Sequence, residues 1–397
     1  MDFQQWWLLA IAAAFALGWI AARVDLRALL IESRSLPRSY FKGLNFLLTE
    51  QPDRAIDAFI EVVKFDHETI ELHFALGSLF RRRGETERAI RMHQNLLNRP
   101  DLPAEQRAHA LFELGQDYLK AGLLDRAEEA FRQLDDTTYA IDARRNLLDI
   151  FQIEKEWNQA IAIAEALQHA GAGSNQLRIA QFHCEIAQTA INESRLDDAR
   201  TALEAALAAN RQNVRALILM GDIAAQRGND DEAITAWKRI EQQNAPFVAL
   251  VGDRLIEGFR RQGRAEEGLK LLRSWLDANP SIDLLETVLR ATRDAEGAAA
   301  ANALARLELH RSPSLLALAQ YLDTRSLLAT RDIEERGDLD VVKNLLHHHT
   351  KRLGRYTCAH CGFKARQFYW QCPGCSNWET YLPRRTEELD VSRGTQQ

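Results

Sequence analysis

Four of the chain's five cysteines lie in one short stretch near its C-terminal end. They form two pairs, Cys358-Ala-His-Cys361 and Cys372-Pro-Gly-Cys375, with the spacing C-x2-C-x10-C-x2-C. Two such pairs can direct four thiolates at one tetrahedral metal ion, whereas a lone C-x-x-C would be a weak signal. Two disulfides, or unrelated thiols, are the alternative. We predict that all four cysteines bind one metal ion, iron or zinc, because both metals accept four thiolates.

The segment around these cysteines, which we place at 353–383, is too short to fold by burial alone. About thirty residues cannot bury a core of their own, so a bound metal would have to supply part of the folding free energy. Aromatic residues crowd this segment, and we expect them to pack around the metal or against the rest of the protein. They are Tyr356, Phe363, Phe368, Tyr369, Trp370, Trp378 and Tyr381. The fifth thiol, Cys184, lies in an apolar helical stretch and is predicted to be an inert core residue.

The composition of the chain indicates a mostly folded, helical protein. Hydrophobic residues make up 46% of its 397 residues and charged residues 27%, and alanine and leucine, which favour helix, are abundant. The net charge of −6 argues against a general nucleic-acid binder, and so against a zinc ribbon that binds nucleic acid. Nine prolines and twenty glycines are few for a large β protein or a long disordered tail.

From about residue 39 the chain repeats itself with a period close to 34 residues. Gly43 and Gly77 are 34 residues apart, and an alanine follows each of them twelve residues later. This period and pattern resemble the tetratricopeptide repeat, in which small residues let two helices approach closely while bulky residues fill the gaps around them. Glycines at the predicted helix–helix turns should adopt positive φ angles. They are Gly84, Gly122 and Gly228.

We therefore predict an all-α repeat solenoid followed by a small metal module. Residues 39–313 would hold seven clear repeats and a degenerate eighth, and 314–352 a further helix pair broken near Gly337. Stacks of this kind present a concave groove that binds peptides or partner proteins, although a purely structural spacer is the alternative. The Arg81-Arg82-Arg83 run precedes a turn glycine and is predicted to be a solvated helix C-terminus.

The N-terminal region contains an uncharged, apolar run from Trp6 to Ala22. Its length and terminal tryptophans predict a membrane-spanning helix within residues 1–22, and the arginines that follow predict a basic cytoplasmic linker at 23–38. The protein would then be single-pass in the bacterial inner membrane, with a periplasmic N-terminus and its bulk in the cytoplasm. A cleaved signal peptide or a buried helix is the alternative. Residues 384–397 are predicted to be a disordered tail.

No residue constellation points to catalysis, so we predict that the protein is not an enzyme. The sequence contains no phosphate loop, no Gly-x-Ser-x-Gly and no His-Glu-x-x-His. The run His347-His348-His349 could bind metal, but successive helical residues point in different directions, so a solvated helix end is the preferred interpretation.

The order of apolar helix, repeat array and four-cysteine module resembles the lipopolysaccharide assembly protein B family of Gram-negative bacteria. The resemblance is carried by motifs along nearly the whole chain, namely Gly43-Leu-Asn-Phe-Leu-Leu, Leu76-Gly-Ser-Leu-Phe-Arg, Gln116-Asp-Tyr-Leu-Lys-Ala-Gly-Leu, Cys358-x-x-Cys361-Gly-Phe and Tyr369-Trp-x-Cys372-Pro-x-Cys375. It implies an adaptor that restrains lipopolysaccharide synthesis by bringing the deacetylase LpxC to the membrane protease FtsH for degradation. It also implies contacts with other inner-membrane proteins of lipopolysaccharide assembly and attachment to the membrane through the N-terminal helix. Nucleic acid is not among the expected partners, and the oligomeric state stays open, a homo-oligomer included.

The cysteine module is similar to rubredoxin, which leaves a redox protein as the alternative function. Ser376 stands where rubredoxin usually has glycine, and the loop between the two cysteine pairs is much shorter. These departures argue against an electron-transfer role and leave metal binding untouched.

Overall fold

The computed structural model describes residues 41–43, 45–46, 49, 51–65, 70–328, 333–353 and 356–385. These residues fall into two compact units, one within Met1–Ile150 and the other within Phe151–Gln397. The predicted anchor at 1–22, the linker at 23–38 and residues 386–397 of the predicted tail lie outside the described residues. The domain boundaries drawn from the sequence stay predictions.

Helices make up most of the described chain. In the first unit they are α1 (Pro52–Phe65), α2 (Ile70–Arg83), α3 (Thr86–Leu97), α4 (Ala104–Ala121), α5 (Leu124–Arg132) and α6 (Ala140–Glu154), the last of which runs across the unit boundary. The second unit continues with α7 (Trp157–His169), α8 (Gln176–Asn192), α9 (Leu196–Ala209), α10 (Val214–Gln226), α11 (Asp230–Asn244), a 3₁₀ turn (Ala245–Leu250), α12 (Gly252–Arg261), α13 (Ala265–Ala278), α14 (Ile282–Glu296), α15 (Ala298–Arg311), α16 (Leu315–Ser326) and α17 (Ile333–Leu353).

Four glycines at equivalent positions in the repeats, among them the Gly43 and Gly77 of the sequence pattern, let paired helices approach closely. Each of these glycines lies against the bulky ring sixteen residues later, on the partner helix, so closely that a Cβ would clash; the pairs are Gly43–Phe59, Gly77–His93, Gly115–Phe131 and Gly221–Trp237. A Cβ on Gly221, for example, would lie 2.3 Å from Trp237 Nε1. The turn glycines adopt the predicted positive φ angles, which are 84° at Gly84 and 76° at Gly122 and Gly228. The repeat interpretation is thus confirmed at its steric core.

The arginine run at the end of α2 is not all solvated, so that prediction is wrong for Arg81. Its guanidinium donates to Asp117 at 2.7 Å and to Glu113 at 2.6 Å, both on α4. Asp117 is fully buried and also lies 2.5 Å from Nδ1 of the fully buried His93. A buried carboxylate needs such partners, because it loses the hydration that water would provide. Arg81 therefore joins α2 to α4 of the next repeat within the first unit.

In the second unit the core is built from leucines and large aromatic rings, among them Trp237, Phe259 and Trp275. Cys184 is fully buried on α8, and burial raises the pKa of its thiol to about 12. A neutral thiol that water does not reach is inert, as the sequence predicted.

Beyond Pro280 the chain forms two more helix pairs. The segment predicted to be a degenerate repeat contains α14 and α15, and the segment after it contains α16 and α17. That α14 and α15 form a repeat of the array stays a prediction. The predicted break near Gly337 is wrong, because Gly337 lies inside α17 (Ile333–Leu353). One glycine in a long helix costs only about 1 kcal/mol, so it weakens α17 without ending it.

The predicted single-pass inner-membrane localisation has to be corrected. None of the described helices combines the length and the apolar character needed to cross a bilayer, so this prediction is wrong for the described part of the chain. The run from Trp6 to Ala22, on which the prediction rested, lies outside the described residues.

Candidate metal centre

The metal module begins with a small antiparallel hairpin after α17. Its strands are β1 (Tyr356–Thr357) and β2 (Lys364–Ala365), with Tyr356 opposite Ala365. Cys358 follows β1 directly and forms a bridge with Tyr381. This pairing closes the segment on itself and brings its two cysteine-bearing turns together.

The four predicted ligands converge. The Sγ atoms of Cys358, Cys361, Cys372 and Cys375 all lie within 4.8 Å of one another, with 3.8 Å between Cys358 and Cys375 and 3.7 Å between Cys361 and Cys372. A zinc–sulfur bond of about 2.3 Å in a regular tetrahedron places the sulfurs about 3.8 Å apart. None of the four is in a disulfide, so the disulfide alternative is excluded. The donor set and its spacing therefore fit one tetrahedrally bound ion.

Backbone geometry in the two turns directs N–H groups at the sulfurs. The amide of Cys361 donates to Cys358 Sγ at 3.5 Å, and the amide of Gly374 donates to Cys372 Sγ at 3.4 Å. The turns use left-handed backbone at Gly362, with φ of 73°, and at Ser376, with φ of 57°. Ser376 thus adopts the conformation that the glycine of rubredoxin would provide, and its departure from that pattern leaves the turn intact.

The electrostatics of the four thiols also call for a cation. Burial raises the pKa of Cys358, but its contact with the Thr380 hydroxyl and the nearby amides outweigh that effect and lower the pKa to about 6. A backbone hydrogen bond from Phe363 lowers the pKa of Cys361, whereas desolvation and the three neighbouring cysteines raise it to about 12. The thiolate of Cys358 therefore forms easily, whereas a second thiolate beside it is disfavoured because the two negative charges repel each other. A divalent or trivalent ion removes that repulsion.

Trp378 is a buried apolar contact between the metal module and the repeat helices. Its side chain is buried and meets Trp157 and Phe182 edge-on, with ring centroids 6.4 and 6.2 Å away. Its indole Nε1 donates to Oε1 of Gln152 at 3.0 Å, and Nε2 of Gln152 donates to the carbonyl of Ser376 at 3.2 Å. The indole therefore has both an apolar site and a hydrogen-bond partner, which a buried tryptophan needs.

A polar cluster fixes the module beside that contact. The amide of the fully buried Gln181 donates to Glu379 at 2.5 Å, and Arg215 donates to Gln181 at 3.3 Å and to Glu185 at 2.7 Å. The Arg215 guanidinium also lies 5.9 Å from the ring centroid of Trp370. Burial raises the pKa of Glu379, while Gln181 and Arg215 favour its charged form. These groups satisfy one another and so fix the orientation of the module.

Two further contacts extend the attachment of the module toward α14. Trp370 stacks on Phe247 with ring centroids 5.8 Å apart. Arg385 pairs with Asp283 at 2.5 Å and with Glu286 at 3.2 Å, both on α14. The predicted aromatic crowding thus has two roles, since Tyr381 lies inside the module whereas Trp370 and Trp378 face the helices.

Truncating Trp378 should loosen the module and leave its metal in place. We expect Trp378→Ala to cost about 3–5 kcal/mol of docking free energy, the usual loss for a buried tryptophan. The measurement is protease cleavage after residue 353 together with metal content per chain. Leu382→Ala is the control, since Leu382 is in the same module but 61% exposed. Equal cleavage rates in both variants would contradict the role of Trp378.

The module and the repeat helices line a half-open cavity of about 480 Å³. Helices α8, α10 and α12 form one wall, and Phe368 and Trp370 of the module form the other. Arg254 donates to Asp222 inside it at 2.8 Å, and burial raises the pKa of Asp222 despite that partner. The cavity thus offers aromatic surface next to charged groups, a combination that suits a peptide side chain.

No other group of metal-binding side chains occurs in the described part of the chain. The four cysteines are the only cluster of three or more histidine, cysteine or acidic residues that could hold an ion there. Nε2 of His347 lies 3.2 Å from Asp323 of α16, so this histidine takes part in helix packing.

Comparison with known proteins gives the same division into repeats and metal module. The tetratricopeptide repeat model matches residues 74–140 and 184–249, and the model described as a rubredoxin metal binding domain matches residues 356–381. Lipopolysaccharide assembly protein B of Escherichia coli K12 is 35% identical over 95% of this chain and 97% of its own length. The protein of that name from Haemophilus influenzae is 30% identical over 96% and 98%. A chain of the solved Naa15/Naa10 complex with HypK-THB covers 74% of this chain and 46% of its own length, at 16% identity and a TM-score of 0.40.

Proposed function

This chain belongs to the lipopolysaccharide assembly protein B family, and from that premise we propose that it is a non-enzymatic adaptor in the regulation of lipopolysaccharide synthesis. Its client would be a deacetylase of the LpxC type, which it would present to a protease of the FtsH type. The observation that carries the proposal is the match of the whole chain to curated relatives, with both the repeats and the cysteine module retained. The redox alternative is not favoured, because those relatives are named as assembly proteins.

The cavity between α10, α12 and the metal module supports a binding role and suggests where a client docks. It joins aromatic surface from Trp370 to the charged pair of Arg254 and Asp222. Tryptophan and arginine are the residues that most often dominate binding free energy at protein interfaces. We propose that a segment of the deacetylase occupies this cavity.

The mechanism would be an increase in effective concentration. An adaptor that holds a client and a protease together turns their encounter into an intramolecular step, which can raise avidity by factors of about 10²–10⁴ without new chemistry. The metal, when bound, would be held by Cys358, Cys361, Cys372 and Cys375 and would supply folding free energy to the module. The side chains of the chain would then bind the client. Trp370 keeps its position for this contact only while the module is folded and docked.

The test is the affinity of the purified chain for an LpxC-type deacetylase, measured for two matched arginine variants. Arg254 lines the cavity with a side chain 44% exposed, whereas Arg200 of α9 is 46% exposed and lies outside the cavity. We expect Arg254→Ala to raise Kd about tenfold or more, as loss of a hot-spot arginine does, and Arg200→Ala to leave Kd within about twofold. Absence of binding by the unmodified chain would contradict the adaptor role, and equal effects of the two variants would contradict the cavity.

A further inference from the structure

The four metal ligands differ in their access to solvent. Cys358 and Cys372 are each only 1% exposed, and Cys375 is partly buried, whereas Cys361 is exposed. The oxidation of a cysteine depends on its thiolate character and on its access to solvent. Because a bound metal keeps all four sulfurs as thiolates, access decides which of them a small oxidant reaches first. That ligand is Cys361.

Cys361 also has a second sulfur close enough to complete a disulfide. Its Sγ lies 3.7 Å from Sγ of Cys372, which belongs to the other cysteine pair. A disulfide requires about 2.05 Å between the two sulfurs, so a movement of less than about 2 Å would join them. An accessible thiolate next to a second thiolate is the arrangement that redox-sensitive cysteines share, since the second one resolves the first oxidation product.

We propose that Cys361 is a peroxide-sensitive ligand and that its oxidation to a disulfide with Cys372 releases the metal. The Cys361 thiolate attacks one oxygen of hydrogen peroxide, which breaks the O–O bond, converts Cys361 to a sulfenic acid and releases hydroxide. The Cys372 thiolate then attacks the sulfenic sulfur, forms the S–S bond and displaces a second hydroxide. With two protons from water, two thiolates and one peroxide give one disulfide and two water molecules.

The disulfide would remove two of the four ligands in one event. A thiolate binds the ion and a disulfide sulfur does not, so Cys358 and Cys375 alone would have to hold it. A closed tetrahedral site needs four donors, and the free energy of metal binding is also folding free energy for a module of this size. Oxidation at Cys361 should therefore both release the ion and loosen the module.

The loosened module would connect oxidation to the binding of a client. Trp370 stacks on Phe247 and forms part of the cavity wall only while the module is docked. Loss of the metal should then lower the affinity for the client, and reduction followed by metal binding should restore it. This last step rests on the proposed function, whereas the chemistry at Cys361 does not.

Zinc release from the zinc-loaded full chain tests the proposal, with a chromophoric chelator as the readout. We expect hydrogen peroxide to raise the rate of release about tenfold or more over spontaneous release, with two thiols lost for each zinc ion. A thiol reductant and added zinc should then restore the bound ion. Cys184→Ser is the control, because Cys184 is fully buried outside the cluster, and its rate should stay within about twofold. Zinc that stays bound in peroxide would overturn the proposal.

Limited labelling of the zinc-loaded chain with N-ethylmaleimide tests access directly. It needs no substitution that could itself unfold the module. We expect Cys361 to be modified first, because it is the exposed ligand, and Cys184 to react only after denaturation. A first modification at Cys358, Cys372 or Cys375 would contradict the assignment of Cys361.

The position of the disulfide can be read from peptides, because trypsin cuts between the two cysteine pairs at Lys364 and Arg366. A bond from Cys361 to Cys372 joins two tryptic peptides, and fragmentation in a mass spectrometer identifies the two sulfurs. A bond within either cysteine pair leaves the peptides separate and would overturn the proposed step. None of these measurements involves a client, so their failure is distinct from a failure of the proposed function.

Discussion

Cys358→Ser is expected to remove the metal and unfold residues 356–385 while the repeat helices stay folded. Three thiolates leave the tetrahedral site incomplete, and Cys358 is the ligand whose bonds to Thr380 and to nearby amides make it the easiest to ionise. For small modules the free energy of zinc binding, about 10–16 kcal/mol, is also folding free energy. A module of this size has no apolar core large enough to replace that contribution. Metal content per chain measures the loss of the ion. The far-ultraviolet circular dichroism spectrum measures whether the repeat helices stay folded.

Cys184→Ser is the matched control for that variant. Cys184 is fully buried on α8 but lies outside the cluster of four sulfurs. We expect a loss of no more than about 1–3 kcal/mol in unfolding free energy, because the buried hydroxyl loses its contact with water but can still donate to Oδ1 of Asn213, which lies 3.5 Å from the thiol. The metal content should not change. If Cys358→Ser still bound one ion per chain, the four-ligand assignment would be wrong.

Gly221→Leu should destabilise the second unit by about 3 kcal/mol or more, the upper end of the range for overpacking. A Cβ at this position would lie 2.3 Å from Trp237 Nε1. The indole cannot move aside easily, because it is 2% exposed and donates to the carbonyl of Ile218 at 3.3 Å. In a stack each repeat depends on its neighbours, so the loss should extend beyond α10 and α11. The midpoint of urea unfolding measures the effect.

Gly337→Ala is a control that should raise the free energy of unfolding, whereas Gly221→Leu should lower it. Nothing lies within 4 Å of the place that a Cβ on Gly337 would occupy, and the residue lies inside α17. Alanine in a helix interior is more stable than glycine by roughly 0.5–1 kcal/mol, so the midpoint should rise. A midpoint that Gly221→Leu leaves unchanged would show that the close contact between α10 and α11 is not needed.

The repeat core could be predicted because its cause is local and steric. The pair Gly221 and Trp237 lies on two consecutive helices, and the small residue permits the approach that the large ring fills. The period of 34 residues repeats this arrangement, so spacing alone reveals it. The four cysteines were found for a similar reason, since two turns of fixed length determine where the thiols point.

The packing of the metal module against the rest of the protein was expected, but the residues that dock it could not be predicted, because their contacts join distant parts of the chain. Gln152 and Gln181 meet Trp378 and Glu379 about two hundred residues later, and no local spacing marks such a pair. The only signal of these contacts in the sequence is that Gln152 and Gln181 are polar side chains at buried positions of repeat helices. Arg81 was misinterpreted for the same reason, since its partners lie on the next repeat.

The ends of the helices near the C-terminus also could not be predicted from the sequence pattern. Gly337 suggested a break, but a single glycine is a weak signal, and the contacts of Lys343 and His347 with Asp323 hold α17 against α16. Tertiary contacts of this kind override local propensity.

The most direct test of the proposed adaptor mechanism is the affinity for an LpxC-type deacetylase before and after the metal is removed from the full chain. Removal should unfold the module and take away the Trp370 wall of the cavity, so Kd should rise about tenfold or more and return when the metal is restored. Trp370→Ala, which keeps all four cysteines, should weaken binding with its metal content unchanged. An affinity that is the same with and without metal would contradict the account, because the client would then bind without the surface that the metal module provides.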